Sequence, residues 1–196
     1  MDLELFFEAE FTEHETLTRA TAAAVKEPFF RLVMICAQAI REGRKVVFFG
    51  NGGSAADAQH IAAELIGRFK LKRNSLPAIS LTTDSSTITS IANDFSFDEI
   101  FSRQCESLVS NGDIVIGIST SGNSKNVFNG LKVCKTIGAT TIGLLGNNGG
   151  IIKNIVDIPI TVESSSTSNI QEAHRVIYHT ICEIVESEME NHSEEK

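Results

Sequence analysis

The chain has 196 residues, of which 42% are hydrophobic, and it carries a net charge of −8 with a pI near 5.1. This length suits one α/β domain, and the acidic balance argues against a nucleic-acid-binding or membrane-surface protein, which normally presents a basic face. No apolar run approaches about 18 residues, and the acidic N-terminus does not fit a secretory signal. Two short basic clusters, 41–45 and 68–73, are interpreted as a solvated face or loop.

The cysteines are far apart and form no C-x-x-C pair; they are Cys36, Cys105, Cys134 and Cys182. This spacing indicates small, reduced core residues rather than a disulfide framework. We therefore expect a cytoplasmic protein.

The N-terminal part, residues 1–42, has apolar residues at helical spacing and is predicted to form two helices, over 3–21 and 27–42. Pro28 lies near the start of the second helix, where a missing amide hydrogen is tolerated. Short apolar runs then follow, separated by segments of helical length with Gly or Asp punctuation. These runs are 45–49, 78–81, 114–118, 140–145 and 158–162.

This alternation is typical of an α/β fold with a doubly wound, five-stranded parallel sheet sandwiched between helices, here preceded by the N-terminal helical pair. A last helix is predicted from about Ser168 to Met189, and residues 190–196 are predicted to be a polar tail. The run 164–168, S-S-S-T-S, directly precedes that helix and is predicted to be a capping or ligand loop. Without an internal repeat or a linker, residues 1–196 are interpreted as a single domain.

Four hydroxyl side chains follow the third predicted strand, directly before a helix that begins with Lys125; they are Ser119, Thr120, Ser121 and Ser124. Hydroxyl donors beside the free amides of a helix start are what a phosphate group needs, whereas an ordinary helix cap explains one or two of them. The segment lacks the G-x-x-x-x-G-K-[ST] pattern of a nucleotide-binding loop. It therefore predicts a site for a phosphomonoester.

A glycine-rich turn follows the first predicted strand, at 50–54. Gly52 and Gly53 allow the backbone to come close to a ligand, and Asn51 and Ser54 add polar groups. A turn of this kind is a weak signal by itself.

His60 and Glu64 lie four residues apart on the next helix, and therefore on one face. An imidazole beside a carboxylate suits proton transfer or shared metal ligation, although such pairs are also common on exposed helices.

The last helix carries a third group of candidates. Gln171 and Glu172 lie about two turns before His179, so either could reach one pocket with it, and spacing alone does not choose between them. For His179 alone a buried core histidine is the simpler interpretation, and His174 is equally compatible with a surface or an interface position.

Four motifs together resemble those of the phosphoheptose isomerases, which belong to the sugar-isomerase (SIS) domain family of phosphosugar binders. The serine-rich loop is shared by the larger family, and its combination with H-x-x-x-E and Q-E-x-H-x-x-x-x-H is far more specific. The resemblance spans roughly residues 1–189. The motifs are G-N-G-G-S-A-A-D-A-Q-H-x-A-A-E-L (50–65), N-D-F-x-F-D-E-I-F-S-R-Q (93–104), G-I-S-T-S-G-N-S-x-N-V (117–127) and I-Q-E-A-H-x-x-x-x-H (170–179).

The resemblance implies an SIS-type fold and an aldose–ketose isomerase that converts sedoheptulose 7-phosphate to D-glycero-D-manno-heptose 7-phosphate, the first step toward ADP-heptose for bacterial surface polysaccharide. It implies proton transfer through an enediolate, with Glu64 as the base and His179 as the acid. It also implies one Zn²⁺ per subunit, bound by His60, Glu64, Gln171 and His179.

The same resemblance implies a set of substrate-binding residues. Within it, the four hydroxyls hold the phosphate, Asn51 and Ser54 contact the sugar, and Asp94 holds a sugar hydroxyl. The full set is Asn51, Gly52, Gly53, Ser54, Glu64, Asn93, Asp94, Ser119, Thr120, Ser121, Ser124 and Gln171.

The implied assembly is a homotetramer with sites at subunit interfaces, acting on a phosphorylated heptose and binding neither nucleic acid nor membrane. The phenylalanine pairs 6–7 and 29–30 favour burial against other subunits. In one departure, Asn169 stands where family members usually have Arg, which removes a cation near the mouth of the pocket. A non-catalytic branch of the family is an adaptor that binds the replication initiator protein; the presence of both Glu64 and His179 favours the enzyme.

Overall fold

The computed structural model describes residues 1–194, with side chains described for residues 1–190. Its centre is a five-stranded, entirely parallel sheet in the order β2-β1-β3-β4-β5. The predicted fold is confirmed. The strands are β1 (Val46–Gly50), β2 (Ala78–Ser80), β3 (Ile114–Ser119), β4 (Thr140–Gly146) and β5 (Ile158–Val162).

Helices precede the sheet and connect its strands. The predicted N-terminal helical pair is present as α1 and α2. Two short 3-10 helices lie at Phe97–Glu99 and Ile152–Asn154. The α-helices are α1 (Leu3–Ala24), α2 (Lys26–Arg41), α3 (Gly53–Ile66), α4 (Ser85–Asp94), α5 (Ser102–Leu108), α6 (Lys125–Ile137) and α7 (Thr167–Glu194).

The sheet separates two hydrophobic cores because successive side chains of a strand point to opposite faces. Val46 and Phe48 pack in the core shared with α2, α3 and α7. Val47 and Phe49 pack in the core shared with α4, α5 and α6. Both faces are thus covered, which explains why the central strands are apolar throughout rather than alternating.

The strand order places a crevice at the carboxyl ends of β1 and β3. From β1 the chain moves outward to β2, and it then returns to β3 on the other side of β1 and continues outward to β4 and β5. Ligands of open α/β sheets bind at such a reversal of strand order. The glycine-rich turn after β1 and the hydroxyl loop after β3 are therefore neighbours, since Gly50 pairs with Ile118.

Some predicted boundaries differ from the structure. Helix α7 continues to Glu194, beyond the predicted end near Met189, and residues 195 and 196 of the predicted tail lie outside the described residues. The basic cluster 68–73 lies in a loop, as expected, but it is not wholly solvated, because the Arg73 side chain is buried in an ion pair. All four cysteines are buried free thiols. No helix among residues 1–194 is long and apolar enough to span a membrane.

Candidate active site

The hydroxyl loop joins β3 to α6. Ser119 is buried at the end of β3, and its Oγ lies 3.0 Å from Ser124 Oγ and 3.4 Å from Ser121 Oγ. Ser124 is the N-cap residue of α6, and within the described chain its hydroxyl makes no capping bond to the helix amides. The loop therefore presents clustered hydroxyls beside the N-terminus of α6, the arrangement that an anion needs.

Gly122 lets this loop turn. It has a φ of +67°, and a Cβ there would collide with the backbone of Gly149 and Gly150. Asn147 donates through Nδ2 to the Thr120 carbonyl at 3.0 Å. The loop after β4 thus holds the hydroxyl loop from outside.

The glycine-rich turn after β1 contacts the hydroxyl loop directly. Asn51 and Asn126 exchange side-chain hydrogen bonds of 2.8 and 2.9 Å. Gly52 has a φ of +54°, and a Cβ on Gly53 would collide with the amide nitrogen of Gln171. The glycine-rich turn (50–54) and the hydroxyl loop (119–124) together are called the phosphate end.

A second group, called the histidine cluster, consists of His60, Glu64 and His179. Its ligand-type atoms all lie within 4.8 Å of one another. His60 Nε2 is 3.0 Å from Glu64 Oε1, and the rings of His60 and His179 are 5.0 Å apart at an angle of 77°. Burial lowers the pKa of His179, and the neighbouring His60 adds to this effect. The His179 imidazole is therefore neutral at pH 7, free to exchange a proton or to ligate a metal.

A buried polar chain supports His60 from behind. The Tyr178 hydroxyl lies 3.1 Å from His60 Nδ1 and 3.3 Å from Asp57 Oδ1. Asp57 also accepts a 3.3 Å bond from Arg175 Nε. Burial, followed by the Asp57 carboxylate, raises the pKa of Tyr178, so the hydroxyl stays protonated. It donates its hydrogen bond to Asp57. Its lone pairs then face His60 Nδ1, which favours an Nδ1–H tautomer, and the unprotonated Nε2 faces Glu64 Oε1 at 3.0 Å, where the two acceptors need a shared proton or metal ion between them.

The two groups are separated along parallel helices. Glu64 lies eleven residues after Gly53 on α3, a rise of about 16 Å, and His179 lies eight residues after Gln171 on α7, a rise of about 12 Å. Within one chain, Gln171 therefore belongs to the phosphate end. Of the two candidates that spacing left open, Glu172 is exposed and pairs with Arg175 at 3.3 Å, whereas Gln171 packs on the glycine-rich turn.

Other expected residues lie outside these two groups. Asn93 donates to Asp94 at the exposed end of α4, and in the described chain no hydrogen bond joins this pair to the other candidates. His174 is fully buried and bonds to the Leu145 carbonyl, so a surface position is wrong for it. Asn169 is also buried and donates to Glu13 of α1 at 2.9 Å; it ties two helices together rather than standing open at a pocket mouth.

The structure adds residues that sequence reasoning missed. An open groove of about 690 Å³ adjoins the phosphate end, and Asn147, Asn148, Glu163 and Ser164 contribute to it. The sequence could have identified Asp57 and Tyr178 as site residues, because each lies within a turn of a cluster histidine and Tyr178 is the chain's one tyrosine. Among the groove residues, Ser164 belongs to the run 164–168, which was predicted to be a capping or ligand loop, whereas Asn147, Asn148 and Glu163 had no such signal.

Comparison with known proteins shows which family the chain is similar to. A model of the SIS domain matches residues 11–146. The phosphoheptose isomerase of Aliarcobacter butzleri is 48% identical over 180 residues, covering 92% of this chain and 95% of the relative. That of Geobacter sulfurreducens is 54% identical over 155 residues, covering 79% and 82%.

Solved structures give the same result. The phosphoheptose isomerase of Neisseria gonorrhoeae superposes with a TM-score of 0.89 at 37% identity, covering 94% of this chain and 99% of the other. The phosphoheptose isomerase of Francisella tularensis gives a TM-score of 0.92 at 32% identity, covering 95% and 100%.

Proposed function

This chain belongs to the phosphoheptose isomerases of the SIS-domain family, and we propose how its own residues carry out the isomerisation. It is an aldose–ketose isomerase for sedoheptulose 7-phosphate and D-glycero-D-manno-heptose 7-phosphate. The observation that carries the residue assignment is the histidine cluster, in which a carboxylate and a neutral imidazole come together on two helices. The comparisons give no support to the adaptor alternative.

The reaction moves a carbonyl from C2 to C1 of the sugar and therefore needs two kinds of proton transfer. Glu64 takes a proton from C1 and returns it to C2, because its carboxylate is the base of the cluster. His179 transfers the proton between O1 and O2. An imidazole that is neutral at pH 7 can accept this proton from one oxygen and release it to the other, in either direction of the reaction. The hydroxyls of Ser119, Ser121 and Ser124 hold the phosphate with the α6 amides.

The histidine cluster also fits a zinc ion. Two imidazoles and a carboxylate are the protein ligands of a common catalytic zinc site, and the hydroxyl of Tyr178 at Nδ1 of His60 leaves Nε2 for the metal. We place Zn²⁺ on His60, Glu64 and His179, with Gln171 of a neighbouring subunit as a further ligand. Binding the ion would compete with the proton-transfer roles of Glu64 and His179, because a ligating carboxylate is a weaker base. Such an ion would supply Lewis-acid polarisation of the sugar carbonyl. Elemental analysis should find about one zinc per chain, and full activity in a metal-free preparation would remove zinc from the mechanism.

The separation of the two groups favours a site shared between subunits. About 16 Å of helix axis lies between Gly53, at the phosphate end, and Glu64, a span longer than the seven-carbon chain of the sugar. We therefore propose that the phosphate end of one subunit and the histidine cluster of another share each substrate in a homotetramer. The same arrangement would bring Gln171 of one chain to the cluster of the next.

The cytoplasm is the proposed location. Four buried thiols without a disulfide suit a reducing compartment. A phosphorylated sugar substrate and a net charge of −8 fit a small-molecule enzyme better than a nucleic-acid-binding protein.

The assignment is tested with purified protein and sedoheptulose 7-phosphate, using an aldose-specific readout. Glu64→Gln keeps the shape of the side chain but removes its basicity, and His179→Gln removes the oxygen-proton carrier. Each should lower kcat by about 100-fold or more, because general acid–base groups contribute at least that much. Near-normal kcat in both variants, with both folded, would contradict the assignment of Glu64 and His179 as the catalytic pair.

Solvent exchange gives an independent check of the base. During turnover in D₂O, deuterium should appear at C2 of the aldose product, because the proton on the Glu64 carboxylate exchanges with solvent. A hydride shift between the two carbons would leave that position free of deuterium.

A further inference from the structure

A buried carboxylate on α7 organises the loop that follows α3. Glu186 has no exposed surface. Its Oε1 accepts the Phe69 amide at 3.0 Å, and its Oε2 accepts the amides of Lys70 and Leu71 at 2.7 and 2.9 Å. Burial opposes the charge of Glu186, but the three amides and Arg73 outweigh it and lower the pKa, so the carboxylate stays ionised at neutral pH.

Arg73 joins this carboxylate to the end of α3. Its Nε forms a buried ion pair with Glu186 Oε1 at 2.9 Å, without an aligned hydrogen bond. Its Nη1 donates to the Leu65 carbonyl at 2.9 Å, and its Nη2 donates to the carbonyl of Glu64 itself at 3.0 Å. The pair of Arg73 and Glu186, called the clamp, therefore holds the helix turn that carries the proposed base.

The clamp also fixes an aromatic ring beside His179. Because the Phe69 amide is bound to Glu186, the start of the loop is held against α7, and the Phe69 ring lies nearly parallel to the His179 imidazole, with centroids 5.5 Å apart at 16°. Glu186 lies seven residues after His179 on the same helix, about two turns along the same face. One helix thus supplies both the imidazole and the anchor of the ring that packs on it.

We propose that Phe69 is a positioning residue for the isomerisation, holding the His179 ring in the orientation that proton transfer needs, and that the clamp of Arg73 and Glu186 sets Phe69 there. This inference rests on the proposed role of His179. A stacked ring restricts rotation of the imidazole and keeps water from one of its faces. Misplacement of a catalytic group by a fraction of an ångström lowers the rate without weakening substrate binding to the same extent.

The test replaces the ring and leaves the clamp intact, since Glu186 binds the backbone of residue 69. Phe69→Leu should lower kcat about tenfold with KM changed less than about twofold, whereas Phe69→Tyr, which keeps the ring, should retain kcat within about twofold. Lys72→Ala, an exposed position in the same loop, is the matched control and should leave both constants unchanged. Glu186→Gln should show the same loss of kcat if it folds. If it does not fold, the Phe69 variants alone test the positioning role.

A double-variant cycle separates positioning from general loosening. In the His179→Gln background, Phe69→Leu should have almost no further effect on kcat, because the ring it orients is gone. An equal tenfold loss in both backgrounds, an effect on KM alone, or no effect in the unmodified background would overturn the proposal. Normal turnover by His179→Gln itself would instead contradict the role of His179, so the two failures are distinguishable.

Discussion

At the level of single residues, the histidine cluster depends on a hydroxyl behind it. Tyr178 is 1% exposed and links His60 to the buried Asp57 carboxylate. The outer partner of a ligating imidazole fixes its tautomer and orientation. The metal affinity of this chain should therefore depend on Tyr178 although its hydroxyl faces away from the proposed ion.

Tyr178→Phe should weaken zinc binding by about 10- to 100-fold, because His60 Nδ1 loses its partner while the ring volume is kept. Competition against a fluorescent chelator measures the affinity without any need for turnover. Thr180→Val is the matched control, since it removes from the same helix a hydroxyl bonded to the Val176 carbonyl. Equal affinities for Tyr178→Phe and the unmodified protein would contradict this role.

Ser121 gives a residue-scale test of the phosphate end. Its exposed Oγ accepts the Asn123 amide at 3.1 Å and lies beside Ser119 Oγ. Ser121→Ala should raise KM for the phosphorylated ketose about tenfold or more, since a hydrogen bond to a charged group is worth roughly 1.5–3 kcal/mol. Ser110→Ala, at an exposed position before β3, should leave KM unchanged. An unchanged KM for Ser121→Ala would show that this hydroxyl does not bind the phosphate.

At the level of elements, much of the fold follows from the sequence and most of the support around the site does not. Apolar runs bounded by Gly and Asp predicted all five strands, because strands covered on both faces carry few polar residues. His60 and Glu64 could be paired by helical spacing. The contact of His179 with them, the clamp and the burial of Asn169 depend on how α7 packs across α3 and α1, which no local pattern encodes.

Helix α7 also carries a buried histidine that makes stability depend on pH. Burial lowers the pKa of His174 to about 4, although its bond to the Leu145 carbonyl opposes this, and its Nδ1 has no partner in the described chain. Below the unfolded-state pKa of about 6.5, the unfolded chain binds a proton that the folded chain does not. The stability is therefore fully present above about pH 6.5 and falls as the pH decreases toward 4.

His174→Gln should reduce this pH dependence. The Gln amide keeps a donor toward Leu145 but cannot take up a proton in the unfolded state. Between pH 7 and pH 5, the free energy of unfolding should fall by about 2 kcal/mol more in the unmodified protein than in the variant. Urea unfolding at both pH values and one protein concentration measures the difference, and identical losses for the two proteins would rule His174 out as its source.

At the level of the whole molecule, one chain leaves a large apolar surface on α1. Leu3, Phe6, Phe7 and Phe11 are each more than half exposed. Exposed patches of this kind mark protein–protein contacts. A second copy is the proposed partner, because the proposed site draws its phosphate end and its histidine cluster from different subunits.

Charging this surface should break the assembly. Phe7→Glu combined with Phe11→Glu should lower the molar mass measured by light scattering below that of a tetramer, since carboxylates would be buried without partners. Arg19→Glu, a charge change at an exposed position of the same helix, should leave the mass unchanged. A tetramer that survives the double substitution would show that α1 is not part of the contact.

Sharing a site between subunits makes a sharper prediction, because two inactive variants should then complement each other. One variant carries Ala at Ser119, Ser121 and Ser124 and keeps an intact histidine cluster; the other carries Glu64→Gln and keeps an intact phosphate end. Co-expression with different tags and purification through both tags isolates the hybrids. In a hybrid, some interfaces pair the intact phosphate end of one chain with the intact cluster of another, so part of the native turnover should return although neither parent has it. The separately purified parents, mixed without exchange of subunits, are the control and should stay inactive. Hybrids no more active than that mixture would mean that both groups of a single chain serve the same substrate, which would require α3 and α7 to pack differently from the arrangement described here.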